Sequence, residues 1–145
     1  MRDGLRLSSE PDAPAEQITG IVDAINRWNM DVTGDRDYRP VAIFLRDDAG
    51  EIRGGVTGGV WGGWLHVVGL WVDEPLRGQG LGRDLLLAAE AEAREMGAPH
   101  AFLETHSFQA PGLYRRLGYV TFGELEDYPP GERQLFMRKD LGHAP

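Results

Sequence analysis

Apolar positions along the chain switch between two spacings, and the switches mark out its elements. From Glu16 to Met30, Ile18, Ile21, Val22, Ile25 and Trp28 recur three and four residues apart, which predicts a helix. Asp12-Ala-Pro-Ala-Glu leads into it, with Pro14 suited to a first turn. Upstream, Leu5–Ser9 reads as a short strand, and downstream Asp31–Arg39 is polar and loop-like. The pattern then shortens. Val41–Leu45 is an apolar strand and Asp47-Asp-Ala-Gly50 a turn. Glu51–Trp61 and Trp64–Val72 are two strands, and Gly62-Gly63 between them is a strong hairpin signal. Trp64–Val72 is apolar on both faces, which places it centrally in a sheet. Helical spacing returns over Gly80–Met96, where Leu81, Leu85, Ala88, Ala89, Ala93 and Met96 form a stripe that Gly97 ends. His100–Thr105 is another buried strand. Pro111 opens a short helix that stops at Gly118. Tyr119–Leu125, the turn Tyr128-Pro-Pro-Gly131 and Glu132–Arg138 make a closing hairpin. The order predicts an α/β or α+β domain with one mixed sheet.

Composition narrows the class. A length of 145 residues suits one domain over 1–145, and a 41% hydrophobic content supplies a core. The chain has no cysteine, so disulfides and cysteine-based metal sites or nucleophiles are excluded. No apolar run approaches the roughly 20 residues of a membrane span. The first residues lack the apolar centre of a signal peptide. The expectation is a soluble, cytoplasmic protein with no membrane partner. A net charge of −8 opposes nucleic-acid binding, which needs clustered Lys and Arg. It favours a cationic or amine-bearing substrate weakly, since an acidic surface also serves solubility.

The stretch LWVDEPLRGQGLGRDLL, from Leu70 to Leu86, carries the chemistry. A strand ends, Gly78, Gly80 and Gly82 follow with Arg77 in front, and a helix begins. Free N–H groups and the positive dipole end at such a helix start attract anions, and an arginine adds a fixed cation. The turn therefore suits a phosphate, and a pyrophosphate better than a carboxylate. It lacks the lysine of a Walker loop and the G-x-G-x-x-G spacing of a dinucleotide fingerprint.

Arg77-Gly-Gln-Gly80-Leu-Gly82 resembles the R/Q-x-x-G-x-G/A signature of the GCN5-related N-acetyltransferases (GNAT). Ala110-Pro-Gly-Leu113-Tyr114-Arg-Arg-Leu117-Gly118-Tyr119 is similar to that family's A-x-x-L-Y-x-x-L-G-F/Y segment. The resemblance implies one domain with a central, mixed but mostly antiparallel sheet of six to seven strands, flanked by helices and splayed into a V between two central strands. Those strands correspond to Trp64–Val72 and His100–Thr105. It implies acetyl-CoA as cosubstrate and no metal. Its pyrophosphate would lie on Arg77, Gly78, Gln79, Gly80, Leu81, Gly82 and Arg83, and its pantetheine arm along Leu70, Trp71 and Val72. Where the family often has an asparagine that touches the cofactor, this chain has Ser107.

An amine attacks a thioester only when neutral, so a base must take its proton, and an acid must help the thiolate leave. By resemblance Tyr114 is the acid, and its reference pKa near 10 suits exchange with a thiol. His66 is a candidate base, as the family places bases at that offset before the arginine. Period 2 sets His66 on one face with Val68, Leu70 and Val72. Glu104 and His106 are rivals, and an ordered water in place of any base stays open. Trp61, Trp64 and Trp71 either cage an organic ammonium or serve as core, the latter reading favoured for Trp71. By analogy Trp28 to Tyr38, with Asp31, Asp35 and Asp37, and the Tyr128 turn would select the acceptor.

These residues predict an acetyl-CoA-dependent N-acyltransferase that acts by direct transfer in a ternary complex. The acceptor would be a small-molecule or peptide amine. The alternative is a non-catalytic acyl-CoA-binding sensor or partner module. A homodimer is left open by analogy.

Overall fold

The structure is a computed structural model describing residues 4–142. The chain forms two compact units, one ending at Arg36 and one beginning at Asp37. The first holds α1 (Ala15–Thr33), which has Pro14 as its N-cap and Gly34 in the left-handed conformation at its end. The short strand expected at Leu5–Ser9 does not form. That expectation rested on two leucines, and both Leu5 and Leu7 are exposed, with no ladder to hold them.

The second unit contains β1 (Arg39–Arg46), β2 (Ile52–Trp61), β3 (Trp64–Val72), α2 (Leu81–Glu95), β4 (His100–His106), α3 (Pro111–Arg116), β5 (Val120–Glu126) and β6 (Arg133–Asp140). A short 3-10 turn, Glu74–Leu76, sits between β3 and α2. The strands make one six-stranded sheet in the order β1-β2-β3-β4-β6-β5. β3 and β4 are parallel and every other neighbouring pair is antiparallel. β3 lies centrally, as expected, although Val68 and Trp71 on it stay exposed.

α2 lays Leu85, Leu86, Ala89 and Ala93 on one face of the sheet, where they join Val41, Val56, Leu65, Val67, Leu103, Leu135 and Met137 in the core. Its small residues let the helix sit close, and the Ala-Leu run is a good helix former. One charge is buried on this face. Glu90 is fully buried on α2 and pairs with Lys139 of β6, whose Nζ lies 3.0 Å from one carboxylate oxygen and 5.6 Å from the centre of the Tyr119 ring. Burial, and next the Glu90 charge, push the Tyr119 phenol far above its ordinary value.

Lys139→Met leaves the Glu90 carboxylate buried without its partner. This substitution is expected to lower unfolding stability by about 3–5 kcal/mol, whereas the double replacement Glu90→Leu/Lys139→Met regains most of it. Denaturant unfolding of the two variants checks this, and a single variant as stable as the parent would mean that water reaches Glu90.

Candidate active site

The site starts from a defect in a strand. In the β2–β3 ladder Thr57 faces Gly69 and Gly58 faces Val67, so Val68 has no partner and bulges out. A bulge shifts the alternation by one residue. Before it, Leu65 and Val67 point into the core; after it, Leu70 and Val72 do. The period-2 expectation is therefore corrected: His66 lies on the opposite face from Leu70 and Val72. Just past the bulge β3 and β4 part. Their last paired residues are Val67 and Leu103, although β3 runs on to Val72 and β4 to His106. The gap opens into a cleft of about 810 Å³. On its β3 wall the backbone beyond Val67 has no β4 partner and is available to a ligand.

The glycine turn closes one end. Gly80 caps α2 with φ +82°, a left-handed conformation that a residue with a side chain adopts only under strain, and no side chain caps the helix. The first N–H groups of α2 therefore face the cleft unsatisfied by the protein. A Cβ on Gly80 would sit 3.0 Å from the Arg83 guanidinium, which lies across the turn and also pairs with Asp84. Arg77 lines the cleft, but its Nε donates to the Val72 carbonyl at 2.9 Å, tying the turn to the end of β3. Two guanidiniums and a bare helix start make a concave, positive pocket that fits a pyrophosphate.

At the vertex of the V stands Glu104, the first residue of β4 past the last pair with β3. Its carboxylate lines the cleft and accepts a 2.9 Å hydrogen bond from Nε2 of His66. A carboxylate only accepts, so this bond places a proton on Nε2. The His66 ring stacks on Phe102 with centroids 4.3 Å apart and planes 9° apart, which fixes its orientation. Tyr114 reaches the cleft from α3, where Pro111 occupies the first helical turn. Its ring packs edge-on against Tyr119, and burial raises its phenol above the usual value. A raised phenol holds its proton through the neutral range and can only give it up to a stronger base.

The structure thus brings Leu70, Trp71, Val72, Arg77, Gly78, Gly80, Leu81, Gly82, Arg83, Glu104 and Tyr114 around one cleft. His66 stands behind Glu104 rather than in the wall. Ser107 is turned away from the cleft walls: its hydroxyl donates to Glu132 and accepts the Arg133 N–H at 2.9 Å, locking the tip of β4 to β6. Gln79 also lies outside the lining. Trp71, expected in the core, is half exposed at 50% and lines the cleft, because the bulge turns it outward. Arg36 pairs with Asp31, and Arg39 with Asp37, so these acids of the Trp28–Tyr38 stretch already have cationic partners. Among the described residues no group of three or more His, Asp or Glu gathers as a metal site.

Sequence reasoning missed several parts. Phe108, Gln109, Leu76 and Arg116 also line the cleft. The bulge had a signal in Gly58 beside Gly59, since glycine inside a strand often marks one.

A central sheet opened between two parallel strands, with an uncapped helix start and two arginines at one end and a carboxylate at the vertex, makes a cleft whose chemistry suits an extended phosphorylated ligand. Residues 6–119 match the acetyltransferase (GNAT) family. The chain is 44% identical over 109 residues to blasticidin-S acetyltransferase of Streptomyces morookaense, covering 72% of this chain and 80% of that one. It is 35% identical over 133 residues to an acetyltransferase of Agrobacterium fabrum, covering 92% and 96%. The crystal structure of an acetyltransferase from Bacillus cereus superimposes with a TM-score of 0.80 at 32% identity, covering 94% of this chain and 97% of that one. The chain belongs to the GNAT acetyltransferase family and is an N-acetyltransferase.

Proposed function

We propose that this enzyme moves the acetyl group of acetyl-CoA to the primary amine of a small molecule by direct attack in a ternary complex. The observation that carries this reading is the cleft itself: the glycine turn with Arg77 and Arg83, the end of β3 that has no β4 partner, Glu104 and Tyr114 all line it. The N-terminus of α2, with Arg77 and Arg83, holds the pyrophosphate. The backbone of Leu70–Val72 holds the pantetheine arm and donates to the thioester oxygen as it gathers charge.

The amine attacks in its neutral form, and Glu104 takes the proton that its nitrogen sheds as the new bond forms. The amine nitrogen bonds to the carbonyl carbon, the carbon–sulfur bond breaks, and the Tyr114 hydroxyl gives its proton to the departing sulfur. The products are an amide and free CoA. A proton then passes from Glu104 to the Tyr114 phenolate through water, which resets both groups. A small-molecule acceptor is favoured because the 44% identical relative is named for the small molecule blasticidin-S. The reading includes a cytoplasmic location. Among the described residues no helix is long and apolar enough to cross a membrane.

The test is a thermal melt with acetyl-CoA and CoA beside NADH and ATP, followed by thiol release with a panel of amines. A ligand at about 100 times its Kd adds roughly 2.7 kcal/mol, a shift of several degrees. Shifts with the CoA species alone, and thiol release with an amine, are expected. A shift without release from any amine would favour the acyl-CoA sensor instead. Tyr114→Phe is expected to lower kcat by roughly 10²-fold while acetyl-CoA affinity holds, because the acid acts only after binding. Full kcat in this variant would remove Tyr114 from the proton transfer.

A further inference from the structure

Past Glu104, the end of β4 and the segment after it carry a group of stacked rings, of which Phe108 lines the cleft. β4 alternates, so Phe102, Glu104 and His106 share one face while Ala101, Leu103 and Thr105 are buried on the other. His106 lies about 7 Å along the strand from Glu104 by strand rise. Its ring stacks on Phe108, with centroids 5.1 Å and planes 16° apart, and on Tyr128, with centroids 5.3 Å and planes 21° apart. Phe108 and Tyr128 are both more than half exposed, at 57% and 52%, and Phe108 lines the cleft.

These rings are held in place. Nδ1 of His106 donates to the Tyr128 carbonyl at 3.0 Å. The His106 backbone N–H donates to Oε1 of Gln109 at 2.7 Å, and the Gln109 N–H returns to the His106 carbonyl. The Tyr128 turn is closed by bonds from Tyr128 N–H to the Glu132 carbonyl, from Glu132 N–H to the Pro129 carbonyl, and from Gly131 N–H to the Asp127 carboxylate. Large rings left in water but fixed by their backbones are a platform whose ordering entropy is already spent. The His106–Tyr128 link also ties the β4 tip to the β5–β6 turn, both on the β4 side of the cleft.

We propose that Phe108, His106 and Tyr128 form the part of the acceptor site that selects the body of the substrate, and that the acceptor is an amine carrying a planar conjugated ring. The amine nitrogen sits at Glu104 and the ring stacks on this platform, one short linker away. The proposal rests on the transferase reading for the position of the amine, and on the ring geometry alone for the class of substrate. The turn that carries Tyr128 holds Glu126, Asp127 and Glu132 against one adjacent cation, Arg133, which suits a ring that is neutral or positive better than an anionic one.

The probes are phenethylamine and 2-cyclohexylethylamine, which match in length and apolar bulk and differ in planarity. With the intact enzyme and saturating acetyl-CoA, the KM of the planar amine is expected to be roughly tenfold lower, the scale of one good aromatic stack. In Phe108→Leu/Tyr128→Leu, which keeps apolar volume, that ratio should fall toward one. Calorimetric binding of both amines to the CoA-loaded protein reads the same preference without turnover. Equal KM and equal binding in the parent, or a ratio that survives in the double variant, would overturn the platform. A planar preference in binding with no thiol release would keep the platform and overturn the transferase reading instead.

Discussion

Glu104→Gln is expected to reduce kcat by about 10²–10⁴-fold with little change in acetyl-CoA affinity. Glutamine keeps the size of the side chain and still meets His66, but an amide cannot take a proton from the attacking nitrogen. The contacts proposed for the cosubstrate are untouched, because Glu104 stands at the vertex and the proposed pyrophosphate contacts are at the start of α2. In the proposed mechanism His66 acts through Glu104, because its Nε2 bond at 2.9 Å and its stack on Phe102 hold the carboxylate in place. His66→Asn is therefore expected to cost less than Glu104→Gln, roughly tenfold, by loosening the carboxylate rather than removing it. Steady-state kinetics of the two variants, with acetyl-CoA binding measured separately, rank the roles. If His66→Asn proves the more damaging, the imidazole is the base and Glu104 its support. If neither variant loses more than threefold, water carries the proton. A weakly basic acceptor such as methoxyamine, whose nitrogen gives its proton readily to water once it has attacked, should narrow the Glu104→Gln deficit.

Much of this architecture was legible in the sequence. The strands from Val41 onward and the helix after Gly80 announce themselves because apolar residues cluster at strand or helix spacing between Gly and Pro breaks. The glycine turn was legible for a different reason: bare helix starts and arginine have only a few chemical uses. The relation of His66 to the site was not legible. Period 2 holds only in an unbroken ladder, and one unpaired residue, Val68, moves Leu70 and Val72 to the other face. Trp71 was misplaced by the same residue, since it follows the bulge and turns outward with the new register. The His66–Glu104 bond joins residues on neighbouring strands, and their approach depends on the parallel register Val67–Leu103, which no local pattern encodes. The ring platform has the same origin. His106 and Phe108 are close in sequence, but Tyr128 reaches them only because β6 returns beside β4.

The bulge also sets up the second large effect, at Gly58. Replacing a strand glycine by alanine is ordinarily neutral or stabilising by up to about 1 kcal/mol when space allows, as the unfolded chain loses freedom. Gly123→Ala is such a case, because a Cβ there would meet the Phe136 side chain at 3.8 Å, an ordinary contact. Gly58→Ala has the opposite sign. Its Cβ would overlap the carbonyl oxygen of His66, a backbone atom inside the sheet that no rotamer change can move away. β2 and β3 must then separate, or the bulge at Val68 must be given up. Giving it up would swing Leu70 and Val72 out of the core and press the next residues of β3 toward β4, where the splay now lies. The expected result is a loss of about 3 kcal/mol or more in stability. Of the protein that still folds, little should bind acetyl-CoA, so the several-degree thermal shift disappears. Thermal melts of Gly58→Ala and Gly123→Ala, each with and without acetyl-CoA, separate the two. A Gly58→Ala protein that melts with the parent and keeps its shift would mean that the V opens without the bulge. Its loss, with Gly123→Ala unaffected, would tie the cleft to a single position in β2 where no side chain fits.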